Sequence, residues 1–116
     1  MKIEKNRETQ VAPLLLAGQI LTAWRLRASE SQRGMARRLG VKQPTWRNVE
    51  LGIKPPGRVL FIRMILLLKL KKKQITTLSI LYHYYDIGLT VGVDVVSDAL
   101  YAFDLEPSDI GALLSE

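Results

Sequence analysis

The chain is predicted to be all-α, with five helices over residues 13–86 and a helical extension over 87–116. Two observations predict this class. Apolar residues recur at alternating spacings of three and four, which is the period of one helix face. Pro13 and Pro44 stand where helices should begin, and Gly40, Gly52 and Gly88 stand where they should end. A strand-like alternation shows in a short stretch, Leu89, Val91, Val93 and Val95.

Residues 1–12 are polar, lack a period and are expected to form a flexible arm. Pro13 suits the first turn of a helix, where no intrahelical N–H bond is lost. Leu14, Ala17, Leu21, Trp24 and Ala28 then form an apolar stripe, and the helix should stop near Ala28. Ser31 is expected to cap a second helix whose inner face is Met35, Ala36 and Leu39. Gly40 ends it, because glycine takes positive φ without a Cβ clash, and Val41 plugs the turn. Pro44 places the start of the third helix at Lys42 or Gln43, with Trp46 and Val49 inward and Gly52 as its stop.

The prolines of residues 53–58 predict a loop. A fourth helix over 58–68 is apolar nearly all round, so it is central to the core or covered on a second side by a partner. Lys69 to Lys73 should end it, their charge complementing the helix C-terminus. The fifth helix is expected over 76–86, packing Leu78, Leu81, Tyr82 and Tyr85, with Gly88 as its stop. The extension should begin with an extended stretch or turn from Leu89 and continue as a helix over 94–103 on the stripe Val96, Ala99, Leu100 and Phe103. Another short helix is expected over 109–114.

With 116 residues the chain suits one compact domain, or a small domain with an appended element. No run approaches the roughly 18 apolar residues of a membrane span, because Arg63 and Lys69 interrupt the most apolar one. The polar start is unlike a secretory signal. Without cysteine there are no disulfides or thiolate metal sites, which suits a reducing cytoplasm. His83 is the only histidine, no catalytic constellation stands out, and no enzyme activity, cofactor or metal is expected.

Charge is unevenly distributed. All 17 Lys and Arg lie between Lys2 and Lys73 beside only four acids, giving that part +13, whereas residues 74–116 carry seven acids and no Lys or Arg, giving −7. A basic block of this kind is an electrostatic footprint for a polyanion. The polar side chains of the second and third helices, Arg33, Arg37, Arg38, Lys42, Gln43, Arg47 and Asn48, have the chemistry that binds phosphates and base edges.

Residues 18–81 resemble the DNA-binding domain of the Cro and phage-repressor (XRE-type) helix-turn-helix family. The resemblance is carried by Leu21, Trp24 and Arg25, then by Ser31, Gln32, Met35, Ala36, Leu39, Gly40, Val41, Gln43, Thr45, Trp46, Val49, Glu50 and Gly52. It implies a five-helix repressor-like domain over 13–86, with the third helix as the reader of double-stranded DNA. Gln32 looks like the family glutamine that fixes a phosphate, and Gln43 like the one that reads a base edge and can pair with it. Arg25 and Glu50 match a family pair that links the first helix to the end of the third. Glu30, Gly34, Lys42 and Trp46 depart from the family pattern, which bears on the angle of the reading helix.

The expected base contacts are therefore Gln43, Arg47 and Asn48, because Gln and Asn offer two hydrogen-bonding atoms to adenine and Arg does so to guanine. The expected DNA-backbone contacts are Gln32, Lys42, Thr45, Lys54 and Arg58. The acidic, apolar extension is expected to build a homodimer through Val96, Leu100, Phe103, Ile110 and Leu113, since symmetric dimers read two half-sites about 34–36 Å apart. The resulting expectation is a transcriptional regulator, most simply a repressor on a palindromic operator, in the cytoplasm and associated with the nucleoid. An antitoxin-type protein is the alternative: its C-terminal part would bind a partner protein while its basic part regulates its own operon.

Overall fold

A computed structural model describes residues 10–110. These residues form six α-helices: α1 Pro13–Arg27, α2 Gln32–Leu39, α3 Gln43–Glu50, α4 Arg58–Leu67, α5 Lys72–Asp86 and α6 Val93–Ala102. A 3-10 turn, Pro107–Ile110, follows them. The described residues contain one isolated antiparallel bridge, Val11 to Val91, and no strand. None of their helices is long and apolar enough to cross a membrane.

Helix α1 is the common support. Its expected stripe buries Leu14, Ala17 and Leu21, but Leu16 and Ile20 are fully buried as well. A helix that is apolar on more than one side has neighbours on more than one side. Accordingly α1 packs against α3, α5 and the 3-10 turn. Gly18 makes the closest of these approaches: a Cβ there would overlap the Glu50 carbonyl oxygen and stand 2.9 Å from that of Val49. Glycine is required because backbone meets backbone.

The helix ends have definite chemical causes. The Ser31 hydroxyl accepts the Gly34 N–H at 2.9 Å, capping α2, and Gly40 closes that helix with φ 72°. Helix α3 begins after Lys42 with Pro44 in its first turn, and Gly52 follows its end with φ 70°. Helix α5 begins at Lys72, four residues before its expected start, because the Gln74 side chain accepts the Lys71 N–H at 2.9 Å. Lys72 and Lys73 thus open α5 and do not close α4. Along α5, Leu78 and Leu81 are buried as expected and Tyr82 is half-buried, whereas Tyr85 is exposed.

One continuous apolar cluster runs from Val11 through the helices to Ile110. Two expectations are corrected by it. Val11, placed in a flexible arm, is buried and exchanges backbone hydrogen bonds with Val91 at 2.8 and 2.9 Å. Residues 1–9 of that arm lie outside the described part. Val96, Leu100, Phe103 and Ile110, assigned to a dimer surface, are buried within the protomer, where Phe103 meets the Trp24 ring edge-on at 6.3 Å. Their apolar area is covered in cis, so it is not on offer to a second chain. Leu113 lies outside the described residues.

The extended stretch from Leu89 contributes only the Val91 bridge before α6 starts at Val93. The final helical turn begins at Pro107, ahead of the expected 109, with the Asp109 carboxylate accepting the Glu106 N–H at 2.7 Å. The remainder of that expected helix lies outside the described residues. Helix α4 is half covered: Leu60 and Met64 are buried, while Val59, Ile62, Leu66 and Leu67 are exposed.

Candidate nucleic-acid interface

Two eight-residue helices, α2 and α3, pack together with the turn Gly40–Lys42 between them. On α3, Trp46, Val49 and Glu50 are buried. Helical periodicity puts Pro44, Arg47, Asn48 and Leu51 opposite them, with Gln43 and Thr45 on the flanks. Lys42, Thr45 and Arg47 are exposed, and Gln43 and Asn48 are half-buried. This outer face carries Arg47 and Asn48 with the apolar surface of Pro44 and Leu51.

The orientation of α3 is fixed from behind by the Glu50 carboxylate. Arg25 donates to it twice, Nε to Oε2 at 2.6 Å and Nη2 to Oε1 at 3.1 Å, a bidentate pair almost closed to solvent. Trp46 Nε1 donates to Oε2 at 2.6 Å and Gln32 Nε2 to Oε1 at 2.9 Å. Arg25 also donates from Nη1 to the Glu30 carbonyl at 2.6 Å. One carboxylate therefore ties together α1, α2 and α3, and its guanidinium partner holds the turn between the first two. The burial of two charges is compensated because every one of these donors and acceptors is used.

This cluster gives Trp46 a polar task, since its indole N–H supplies Glu50 with a donor that an aliphatic side chain lacks. Gln32, which could pair with Gln43, has its amide nitrogen committed to Glu50. Among the described residues no Gln32–Gln43 hydrogen bond forms. Glu30 pairs with Arg38 at 2.8 Å at the surface. The Arg25–Glu50 expectation is realised as a buried bidentate pair.

The loop after α3 folds back on it. Ile53 and Lys54 donate their N–H groups to the Asn48 carbonyl at 2.9 and 3.4 Å. A shallow concavity of about 140 Å³ results, lined by Thr45, Asn48, Lys54, Pro55, Pro56 and Gly57 among others. Three of the anticipated contact residues, Thr45, Asn48 and Lys54, thus share one surface. Arg58 stands exposed at the start of α4, just past this loop.

The basic residues divide by employment. Arg25, Arg27, Arg38 and Arg63 bond within the chain: Arg27 reaches the Asp104 carbonyl at 2.6 Å, and Arg63 reaches the Leu39 and Gly40 carbonyls at 3.2 and 3.1 Å. Arg33, Arg37, Lys42, Arg47, Lys54 and Arg58 are exposed and bond to no described residue. Sequence reasoning had grouped Arg38 with the available cations and had no role for Arg63. As the only charge inside an apolar helix, Arg63 carried a signal: it caps the carbonyl end of α2. No group of three or more His, Asp or Glu among the described residues is placed to hold a metal ion. Compared with protein-family models, curated proteins and solved structures, the chain matches none.

Proposed function

We propose that this chain is a sequence-specific DNA-binding regulator with a repressor-like helix-turn-helix formed by α2 and α3, and that it occupies an operator as a homodimer. The observation that carries this reading is the outer face of α3. Its Arg47 and Asn48 lie opposite the buried Trp46, Val49 and Glu50, with Gln43 on the flank, and Glu50 holds the helix in place from behind. Rigid support matters because base-edge hydrogen bonds discriminate only when the donors are held in register. Exposed Lys42, Lys54 and Arg58 surround that face with the charge that attracts phosphates. Thr45 beside Lys54 adds a hydroxyl for the same backbone.

Selection of bound sites from random duplex DNA tests the reading, with an enriched palindrome expected. Changing Gln43 to Ala should relax preference at one base pair, a change of about 1–3 kcal/mol in discrimination. Changing Lys54 to Ala should weaken all sequences alike and reduce the slope of log affinity against log salt by about one. No enriched motif, or an equal loss on every sequence after the Gln43 change, would count against base reading and favour the partner-binding alternative.

A further inference from the structure

We propose that the groove between α5 and α6 binds a small amphipathic anion: a ligand with an oxyanion head, a hydrogen-bond donor beside it and an apolar body. The two helices run antiparallel, so the start of α5 lies beside the end of α6. There the groove holds about 760 Å³, lined by Lys71, Lys72, Lys73, Thr76, Tyr101 and Ala102 among others. Small-molecule sites typically measure about 300–1,000 Å³ and combine apolar walls with a few polar groups. A hollow of about 200 Å³ continues the groove toward Ile80, Tyr84 and Val95, with Thr77 and Asp98 common to both parts.

The chemistry changes along the groove, and its order specifies the ligand. At one end three consecutive ammonium groups stand exposed, and none forms an ion pair among the described residues. Lys73 lies 5.2 Å from the centre of the Tyr101 ring, which is 76% exposed, the highest value among the large hydrophobic side chains described. An uncovered ring beside cations suits an anion that carries apolar surface. In the middle, the Thr76 and Thr77 hydroxyls and the Asp98 carboxylate, which has no ion-pair partner among the described residues, supply acceptors for a donor on the ligand. At the far end Ile80, Tyr84 and Val95 form an apolar wall. A polyphosphate backbone does not fit this order, because charge beyond the lysines would meet Asp98 and then that wall. None of these residues belongs to the candidate interface on α3.

The test uses the full chain without DNA, so its outcome is independent of the DNA-binding reading. The probe is N-acetyl-L-tryptophan, which carries a carboxylate, an N–H and an apolar ring. Its uncharged amide lacks the head, and inorganic phosphate lacks the body. Titration followed by backbone-amide NMR should shift the signals of residues 72–84 and 95–102 with a Kd of about 0.1–1 mM. The amide and phosphate should each bind at least about tenfold more weakly, and the combined change Lys72→Gln and Lys73→Gln should weaken the acid about as much. Both lysines are exposed, so the helical circular dichroism of that variant should be unchanged. Amide binding as tight as the acid would overturn the anionic head, phosphate binding as tight would overturn the apolar body, and undiminished binding to the folded double variant would overturn the placement. The proposal also fails if the acid shifts nothing at 10-fold above that range, if its shifts gather on the exposed face of α4, or if the groove signals move on dilution of the protein alone, which would give the groove to a second copy.

Discussion

Helix α3 and the C-terminal extension are attached to α1 by different physics. At the α3 end the attachment is polar: Glu50 receives four hydrogen bonds, from Arg25, Gln32 and Trp46, and the Gly18 backbone lies directly against the helix terminus. At the C-terminal end it is mainly apolar, with Phe103, Leu105 and Ile110 buried and Trp24 meeting Phe103 edge-on, while its polar links, from Arg27 to the Asp104 carbonyl and the Asp109 carboxylate, lie at the surface. Apolar burial stabilises in rough proportion to area and tolerates small shifts. A buried, fully satisfied carboxylate tolerates one arrangement only. The outer face of α3 thus rests on the directional support, and the acidic extension on a largely non-directional one.

The sharpest way to break this comparison is Glu50→Ala. It leaves Arg25 buried without its counter-charge, and the expected loss is about 3–5 kcal/mol in chemical denaturation. Phe103→Ala should cost about as much, roughly 3–5 kcal/mol, through the cavity it leaves. The two differ in location: chemical shifts should move across α2 and α3 in the first variant and around α1 and α6 in the second. Gly18→Ala should cost about 1–3 kcal/mol in the same denaturation assay, since the added methyl must displace the backbone of α3. Retained stability in that variant would mean the close approach of α1 and α3 is slack.

A smaller effect of opposite sign is expected from Tyr82→Phe. The Tyr82 hydroxyl is buried without a hydrogen-bond partner among the described residues, although its ring packs edge-on against Phe61 at 5.8 Å. Removing an unsatisfied hydroxyl should stabilise by roughly 1 kcal/mol at neutral pH. Burial also holds the proton on this phenol well above the ordinary tyrosine range. An unfolded tyrosine ionises at about pH 10, so above that pH the unfolded state is favoured and stability falls as pH rises. Thermal melts should show the Phe variant losing less stability than wild type above about pH 10.

Much of this was legible in the chain because helices announce their ends. Pro13, Ser31, Gly40, Pro44 and Gly52 mark boundaries that the structure places within a residue or two of expectation. Other boundaries were hidden by their chemistry. Ser29, Lys69 and Asp104 take φ between 54° and 60° with no glycine to advertise it, and the start of α5 depends on an amide cap from Gln74. The Val11–Val91 bridge pairs residues too far apart in sequence for local patterning to reveal.

The candidate surface was legible in residue type but not in employment. Periodicity placed Gln43, Arg47 and Asn48 on one helix, yet no local pattern shows that the Gln32 amide turns inward to Glu50 or that Trp46 is a donor. The extension misled for a related reason. Its apolar stripe correctly required burial, but the stripe does not specify whether the cover comes from the same chain or another. Along α4 the same ambiguity has the other outcome, since Val59, Ile62 and Leu66 remain uncovered.

The positions of the two tryptophans give this molecule a pair of separate optical reporters. Trp46 is fully buried with its indole N–H on the Glu50 carboxylate, and Trp24 is half-buried against Phe103. The emission of the first senses a charge and a hydrogen bond in a dry setting, while that of the second senses an aromatic edge near solvent. Replacing either one leaves a single-tryptophan protein whose indole can be excited apart from the four tyrosines. Loosening behind α3 can then be followed in time independently of loosening at the C-terminal extension.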